Sequence, residues 1–182
     1  MLTTPAGLGP LAVTNTVLAG HLHQIVQVFR EGGGVPYAAF TPEFTDAMDA
    51  MGRGVFDTML VDGYLPLAPG LAETLTAGAR VADVACGTGH ALVPGGLLFM
   101  REPHAADTLA GNLANPMAPV FYSVSTLHCL TVSLAHGGAG IGSAFGEQLA
   151  RRMLTEAGFG PADAHPAPGH PFDAVYVTRT AR

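Results

Sequence analysis

An α/β domain behind a helical N-terminal region is the fold class that three observations predict. Apolar residues before residue 80 recur at helical spacing, and an apolar run, Arg80–Ala85, ends in the glycine-rich turn Cys86–Gly89. Two further apolar runs, Leu97–Met100 and Phe172–Thr178, carry strand character. These divide the chain into a helical region, 1–79, and an α/β region, 80–182.

From Asn15 onward, Leu18, Leu22, Ile25, Val26 and Phe29 fall on one helical stripe, and Gly32–Gly34 supplies the stop. Thr41 is placed to cap a second helix, with Pro42 at its first position and Glu43 in its first turn. Phe44, Met48, Met51, Val55 and Met59 form that helix's stripe, which reads as core or a dimer contact. A short helix at Leu71–Ala77 follows. Arg80–Ala85 then reads as a buried strand, and Leu97–Met100 as a second one, entered through Pro94-Gly95-Gly96. Residues 105–135 read as helical, with breaks at Asn115-Pro116 and Pro119. Gly137–Gly142 is glycine-rich like a phosphate cradle, but it follows a helix with no cation nearby and reads as a turn. Ser143 can cap a helix through Gln148, Leu149, Met153 and Leu154 that ends at Gly158. The Pro-rich stretch Gly160–Pro171 leads to a last strand with weak period-two alternation, Phe172–Thr178.

Composition narrows function. The 182 residues are 48% hydrophobic and 12% charged, against a usual charged share of roughly 25%, so the chain is globular rather than disordered. All eight basic residues are Arg, which leaves no lysine for a P-loop or a Schiff base. A net charge of −6 offers no basic footprint for nucleic acid. Cys86 and Cys129 are too few for a disulfide scaffold or a cysteine-based zinc site and fit a reducing cytoplasm. The N-terminal stretch has no basic residue before its apolar run, unlike a secretory signal. The apolar-leaning run Pro119–Ala135 is interrupted by Ser, Thr and His and reads as too short for a membrane span of roughly 20 apolar residues.

The residues that carry chemistry begin at Val81-Ala-Asp-Val-Ala-Cys-Gly-Thr-Gly89. Glycine after a strand lets the backbone pass close under a ligand, because no side chain blocks the approach. A dinucleotide fingerprint fails here, since Gly87-Thr-Gly-His-Ala-Leu92 lacks the third glycine. The segment resembles motif I of class I S-adenosylmethionine-dependent methyltransferases, with Asp83, Ala85, Gly87 and Gly89 at the acidic and three glycine positions. Leu92-Val-Pro-Gly-Gly-Leu-Leu-Phe-Met100 is similar to the segment introducing that fold's fifth strand, and Phe172–Arg179 fits its last, antiparallel strand. Gly32–Phe40 and Phe121–Gly138 resemble a bacterial subgroup in which a helical, winged-helix-like region precedes the catalytic domain.

The resemblance implies an incomplete Rossmann-like methyltransferase fold over residues 80–182, with a helical region ahead of it. It implies an S-adenosylmethionine site at Asp83, Ala85, Cys86, Gly87, Thr88 and Gly89, a small-molecule methyl acceptor and no metal. Only His90-Ala-Leu-Val93 separates Gly89 from Pro94, where the fold places its second to fourth strands. Four residues cannot cross over between parallel strands, which takes a dozen or more. Either the two strands pair differently or the chain derives from a longer methyltransferase by deletion. The second reading is a non-catalytic remnant acting as an interaction module. The start also reads as short, since the winged-helix module that the resemblance places ahead of the helical region is absent.

His21 and His23 do not share a helix face, and His128 and His136 are too far apart to chelate together. His128 lies at helical spacing from Tyr122 and Ser125, after the fifth strand, where it is either a general base toward a methyl acceptor or a hydrogen-bonded core histidine. So shortened a sheet cannot cover the helix stripes at Leu18–Phe29 and Phe44–Met59, which predicts self-association as a homodimer.

Overall fold

The computed structural model describes residues 9–79, 81–82, 93–94 and 97–180. The architecture is mixed: helices with a small three-stranded antiparallel sheet, broadly α/β. The chain forms two compact units, one from Met1–Met51 with Ala105–Phe145 and one from Gly52–His104 with Gly146–Arg182. Each draws on residues from both sides of position 80.

The first unit is helical. The first expected helix forms as two: α1 (Gly9–Gly20) and α2 (Leu22–Glu31). His21 lies between them, and its Nδ1 donates to the Val17 carbonyl at 2.9 Å. Leu18 and Ile25, seven residues apart, are both 1% exposed, whereas Leu22 is 50% and Phe29 57% exposed. The buried stripe is therefore narrower than the apolar pattern. With Val35, Phe40 and Phe44 these two residues make the unit's core, against which Val124, Leu127 and Val132 pack.

The helix α3 (Glu43–Met59) begins one residue past the expected Pro42, and the Phe44 amide that a Thr41 cap would accept from donates instead to the Phe40 carbonyl at 3.0 Å. The Thr41 hydroxyl donates backward to the Ala38 carbonyl at 3.2 Å, a bond that short polar side chains make as readily as a cap. Pro119 starts the next helix rather than breaking it, since a first-turn position needs no N–H there. From there α5 (Ala118–Val124), a π-helical stretch (Ser125–Leu130) and α6 (Thr131–Ala135) run on continuously. Among the described helices, Ala118–Ala135 is the one long and apolar enough to cross a membrane by length and composition, with 28% of it buried. Gly34 lies hard against its end. A Cβ at Gly34 would land on the Thr131 carbonyl and within 2.5 Å of the Ala135 amide nitrogen, so a side chain there would displace the backbone.

In the second unit, α4 (Leu71–Thr76) follows a π-helical turn at Leu60–Tyr64 and a 3₁₀ turn at Leu65–Leu67. Strand β1 (Val81–Ala82) pairs antiparallel with β2 (Val93–Pro94), while the expected second strand, Leu97–Met100, lies in a separate sheet, so among the described residues the two expected strands do not pair with each other. The main sheet has the order β3 (Leu97–Pro103), β5 (Asp173–Arg179), β4 (Asp163–Pro166), with both pairings antiparallel. β5 is central, and Ala174–Thr178 are buried on both faces, which explains its weak alternation in sequence. Val175 and Val177 pack with Val55, Tyr64, Ala68, Leu71 and Ala167 as the core of this unit.

The helix α7 (Glu147–Glu156) starts after Gly146, at φ 80°, and has no side-chain cap. Ser143, the expected cap, instead donates its amide to the Ser125 hydroxyl at 2.9 Å. The expected end holds, with Gly158 at φ 87° just past the helix.

Candidate functional site

The turn Asp83–Gly89, with Asp83, Ala85, Cys86, Gly87, Thr88 and Gly89, lies outside the described residues. What is described on either side of it is the β1–β2 pair, in which Ala82 faces Val93.

His128 sits in the π-helical stretch and is 8% exposed. Its ring stacks on Phe44 with centroids 3.8 Å apart at 13°, and Phe40 and Tyr37 meet it edge-on at 4.8 and 5.8 Å. Neither ring nitrogen has a hydrogen-bond partner among the described residues, and both are buried. Burial alone pushes its pKa down to about 4, because the cage offers the imidazolium neither water nor a counter-charge. The ring is thus neutral at physiological pH, and among the described residues no donor or acceptor pairs with its nitrogens. The neighbours expected to accompany it are occupied elsewhere. The Tyr122 hydroxyl accepts from Asn112 Nδ2 at 2.9 Å, and the Ser125 hydroxyl accepts from Ser143.

A second concentration of titratable groups lies on the sheet. Arg101 on β3 donates from Nε to Asp173 Oδ2 on β5 at 2.7 Å, and its terminal nitrogen lies 2.7 Å from the same oxygen. His170 Nδ1 stands 3.1 Å from that oxygen as well. Burial would raise the Asp173 pKa, but the His170 contact and the Arg101 and His170 charges outweigh it and hold the carboxyl below its usual range. The Arg101 guanidinium also lies 5.6 Å above the Phe56 ring. Tyr64 is buried with its hydroxyl unpartnered among the described residues, and burial first, then the Asp173 charge, raises its pKa against the pull of Arg101.

Beside this network, burial, aided by the negative charge of Asp173, pushes Glu102 up to about 7. A carboxyl that prefers its proton in the folded state stabilises the fold below the ordinary carboxylate range, and loses that contribution as pH rises through its folded pKa. Stability should therefore decline between about pH 5 and about pH 8, and Glu102→Gln should remove most of the decline. Urea denaturation of both proteins at the two pH values checks this; equal slopes would refute it.

Sequence reasoning missed the Arg101–Asp173–His170 network because its members are up to 72 residues apart. It also missed Asn112, which is 2% exposed and whose side chain is fully bonded. The described surface also carries an apolar groove of about 320 Å³ between Val28 and Phe29 on α2 and Leu130, Thr131 and Leu134. Among the described residues, no three His, Cys, Asp or Glu side chains are placed to hold a metal ion. Compared with known proteins, the chain matches no family model and no curated protein.

Proposed function

We propose that the chain is a methyltransferase-type protein that meets S-adenosylmethionine at the Asp83–Gly89 turn, binds it weakly and transfers its methyl poorly to a small-molecule acceptor. The observation that carries the reading is the strand arrangement. β5 runs antiparallel to β3 and β4, in keeping with the last, antiparallel strand that the resemblance implies, and β1 stands immediately before Asp83 in the chain. A shortened Rossmann-like fold is part of the same reading, supported by β3 and β4 running in one direction with a helix-bearing connection between them.

S-adenosylmethionine, when bound, supplies an electrophilic methyl on a sulfonium, whose transfer asks the protein for positioning more than for covalent help. In this reading Asp83 accepts backbone N–H bonds that order the turn, and Gly87 admits the ligand closely. The fit is incomplete. Ala82 and Val93 are direct partners, and residues 84–92 between them contain no acidic side chain to take the ribose hydroxyls. One contact region in place of several supports weak binding.

Calorimetric titration of the full chain with S-adenosylmethionine should give a free energy no stronger than about −4 kcal/mol, a millimolar Kd. Gly87→Val should abolish the residual heat and shift stability by no more than about 1–3 kcal/mol. Micromolar affinity would overturn the impairment, and unchanged binding in Gly87→Val would overturn the site.

The second reading, a non-catalytic interaction module, is supported by one observation: Leu22, Val26 and Phe29 form an exposed apolar stripe on α2. A cytoplasmic setting fits either reading, since Cys86 and Cys129 are too few for a disulfide scaffold.

A further inference from the structure

Among the described residues, the sheet of the second unit ends on one side in a strand, β3, with no strand on its outer edge. β3 pairs with β5 from Leu97↔Arg179 to Pro103↔Asp173, and the His104 amide continues the ladder by donating to the Phe172 carbonyl at 2.8 Å. Antiparallel ladders alternate residues whose N–H and C=O point to the neighbour with residues whose groups point away. His104 is of the first kind, so Leu98, Met100 and Glu102 point to β5 while Leu97, Phe99, Arg101 and Pro103 point outward. The far side of β5 has the matching phase. The carbonyls of Arg179 and Asp173, opposite Leu97 and Pro103, accept from Gly160 and Ala167.

Among the described residues no strand pairs with the outward side of β3, and Leu97–Pro103 are only half-buried throughout. The amides of Leu97, Phe99 and Arg101, and their carbonyls, are left without a ladder. Natural edge strands are blunted by charged side chains, proline or bulges; Leu97–Met100 has none of these, Arg101 has its charge paired with Asp173, and Glu102 and Pro103 close only the far end of the strand.

We propose that this edge is a homodimer interface: β3 strands of two copies pair antiparallel about a two-fold axis at Phe99, joining two three-stranded sheets into one. A second copy is the fitting occupant because it brings the same free edge, so one isologous contact satisfies both. With the axis at Phe99, Phe99 faces its counterpart, Leu97 faces Arg101 and Leu98 faces Met100. Every outward amide and carbonyl from Leu97 to Arg101 is then paired, about six bonds in all. The charges choose this register. An axis at Arg101 or Glu102 would set like charges opposite each other, and an axis at Met100 would set Pro103, with no N–H, against Leu97.

The test uses the full chain, by sedimentation and by residue-resolved hydrogen exchange over a concentration series. A dimer at tens of micromolar is expected, with the Leu97, Phe99 and Arg101 amides slowing by roughly tenfold or more as it forms. Leu97→Pro deletes an outward N–H while leaving the ladder to β5 intact, and Leu97→Ala loses the same side chain but keeps that donor. The proline variant should dimerise roughly tenfold more weakly than the alanine variant. A clean monomer overturns the proposal, as does equal dimerisation of the two variants. A dimer that leaves those three amides unprotected, as one formed through Leu22, Val26 and Phe29 would, also overturns it.

Discussion

Asn112→Ala should destabilise the helical unit by about 4 kcal/mol, the upper end for a single polar substitution. Asn112 ends a 3₁₀ turn (Ala110–Asn112), and its side chain holds the segment between β3 and α5 together. Its Oδ1 accepts from the Ala106 amide at 2.8 Å. Its Nδ2 donates to the carbonyls of Ala106 and Thr108 at 2.8 and 3.0 Å, and to the Tyr122 hydroxyl at 2.9 Å. Alanine would remove the partner of all four groups; Thr108 is exposed and its carbonyl can turn to water, but each of the others left buried without a partner costs about 1–3 kcal/mol. Asn112→Asp is the discriminating companion. It preserves size and the acceptor for Ala106 but turns the donor into a second acceptor facing two carbonyls, so it should be at least as damaging as alanine. Denaturant unfolding measures both. Tyr122→Phe, which removes one of the four partners, should cost about 1 kcal/mol. If Asn112→Ala lost no more than Tyr122→Phe, the bonded side chain would not be what orders this segment.

That residue marks where the sequence stops being readable. An asparagine between Gly111 and Leu113 reads as loop, and nothing in its neighbourhood announces that Tyr122 will turn toward it. The helices were legible because burial repeats locally, as Leu18 and Ile25 show at a spacing of seven, and Phe44 and Val55 at eleven. The β3 and β5 strands were legible from apolar runs. The end of β3 was not, because Arg101 and Glu102 look like a strand terminus until Asp173 arrives from the far end of the chain to pair with the guanidinium. Thr41 and Ser143 fit the capping preference, but a hydroxyl three residues past a carbonyl, or an amide within reach of Ser125, has a competing bond that only tertiary structure decides. The cofactor motif was the reverse case. Asp83–Gly89 and its short connection to Pro94 are both read from residue order alone, and the structure adds that Ala82 pairs with Val93. For His128, spacing placed it correctly on a helix beside Tyr122 and Ser125. Its surroundings depend on Tyr37, Phe40 and Phe44, more than eighty residues earlier, which no local pattern connects to it.

Those aromatic contacts make the helical unit acid-sensitive. His128 takes up a proton at about its ordinary 6.5 when unfolded and only at about 4 when folded, because its cage excludes water. Between those values the unfolded chain binds the extra proton, so stability falls as pH is lowered through the window and levels off below it. A difference of this size corresponds to about 3 kcal/mol. The groups facing the ring do not compensate. Phe40 and Phe44 carry no charge, the Tyr37 hydroxyl is hydrogen-bonded to Thr45 at 2.8 Å, and His21, on Phe40 with ring centroids 4.7 Å apart, brings no negative charge. His128→Phe keeps an aromatic ring against Phe44 and removes the titration. Its stability relative to the wild type should therefore rise by about 3 kcal/mol between neutral pH and about pH 4, whatever offset the substitution has at neutral pH. Chemical denaturation of both proteins across that range isolates the histidine, since every other acid-sensitive group is common to them. Parallel stability curves for wild type and His128→Phe would show that the ring is already protonated in the native state or that the cage opens to water at no cost. A difference that grows as pH falls places the acid sensitivity of this unit at the single ring stacked on Phe44.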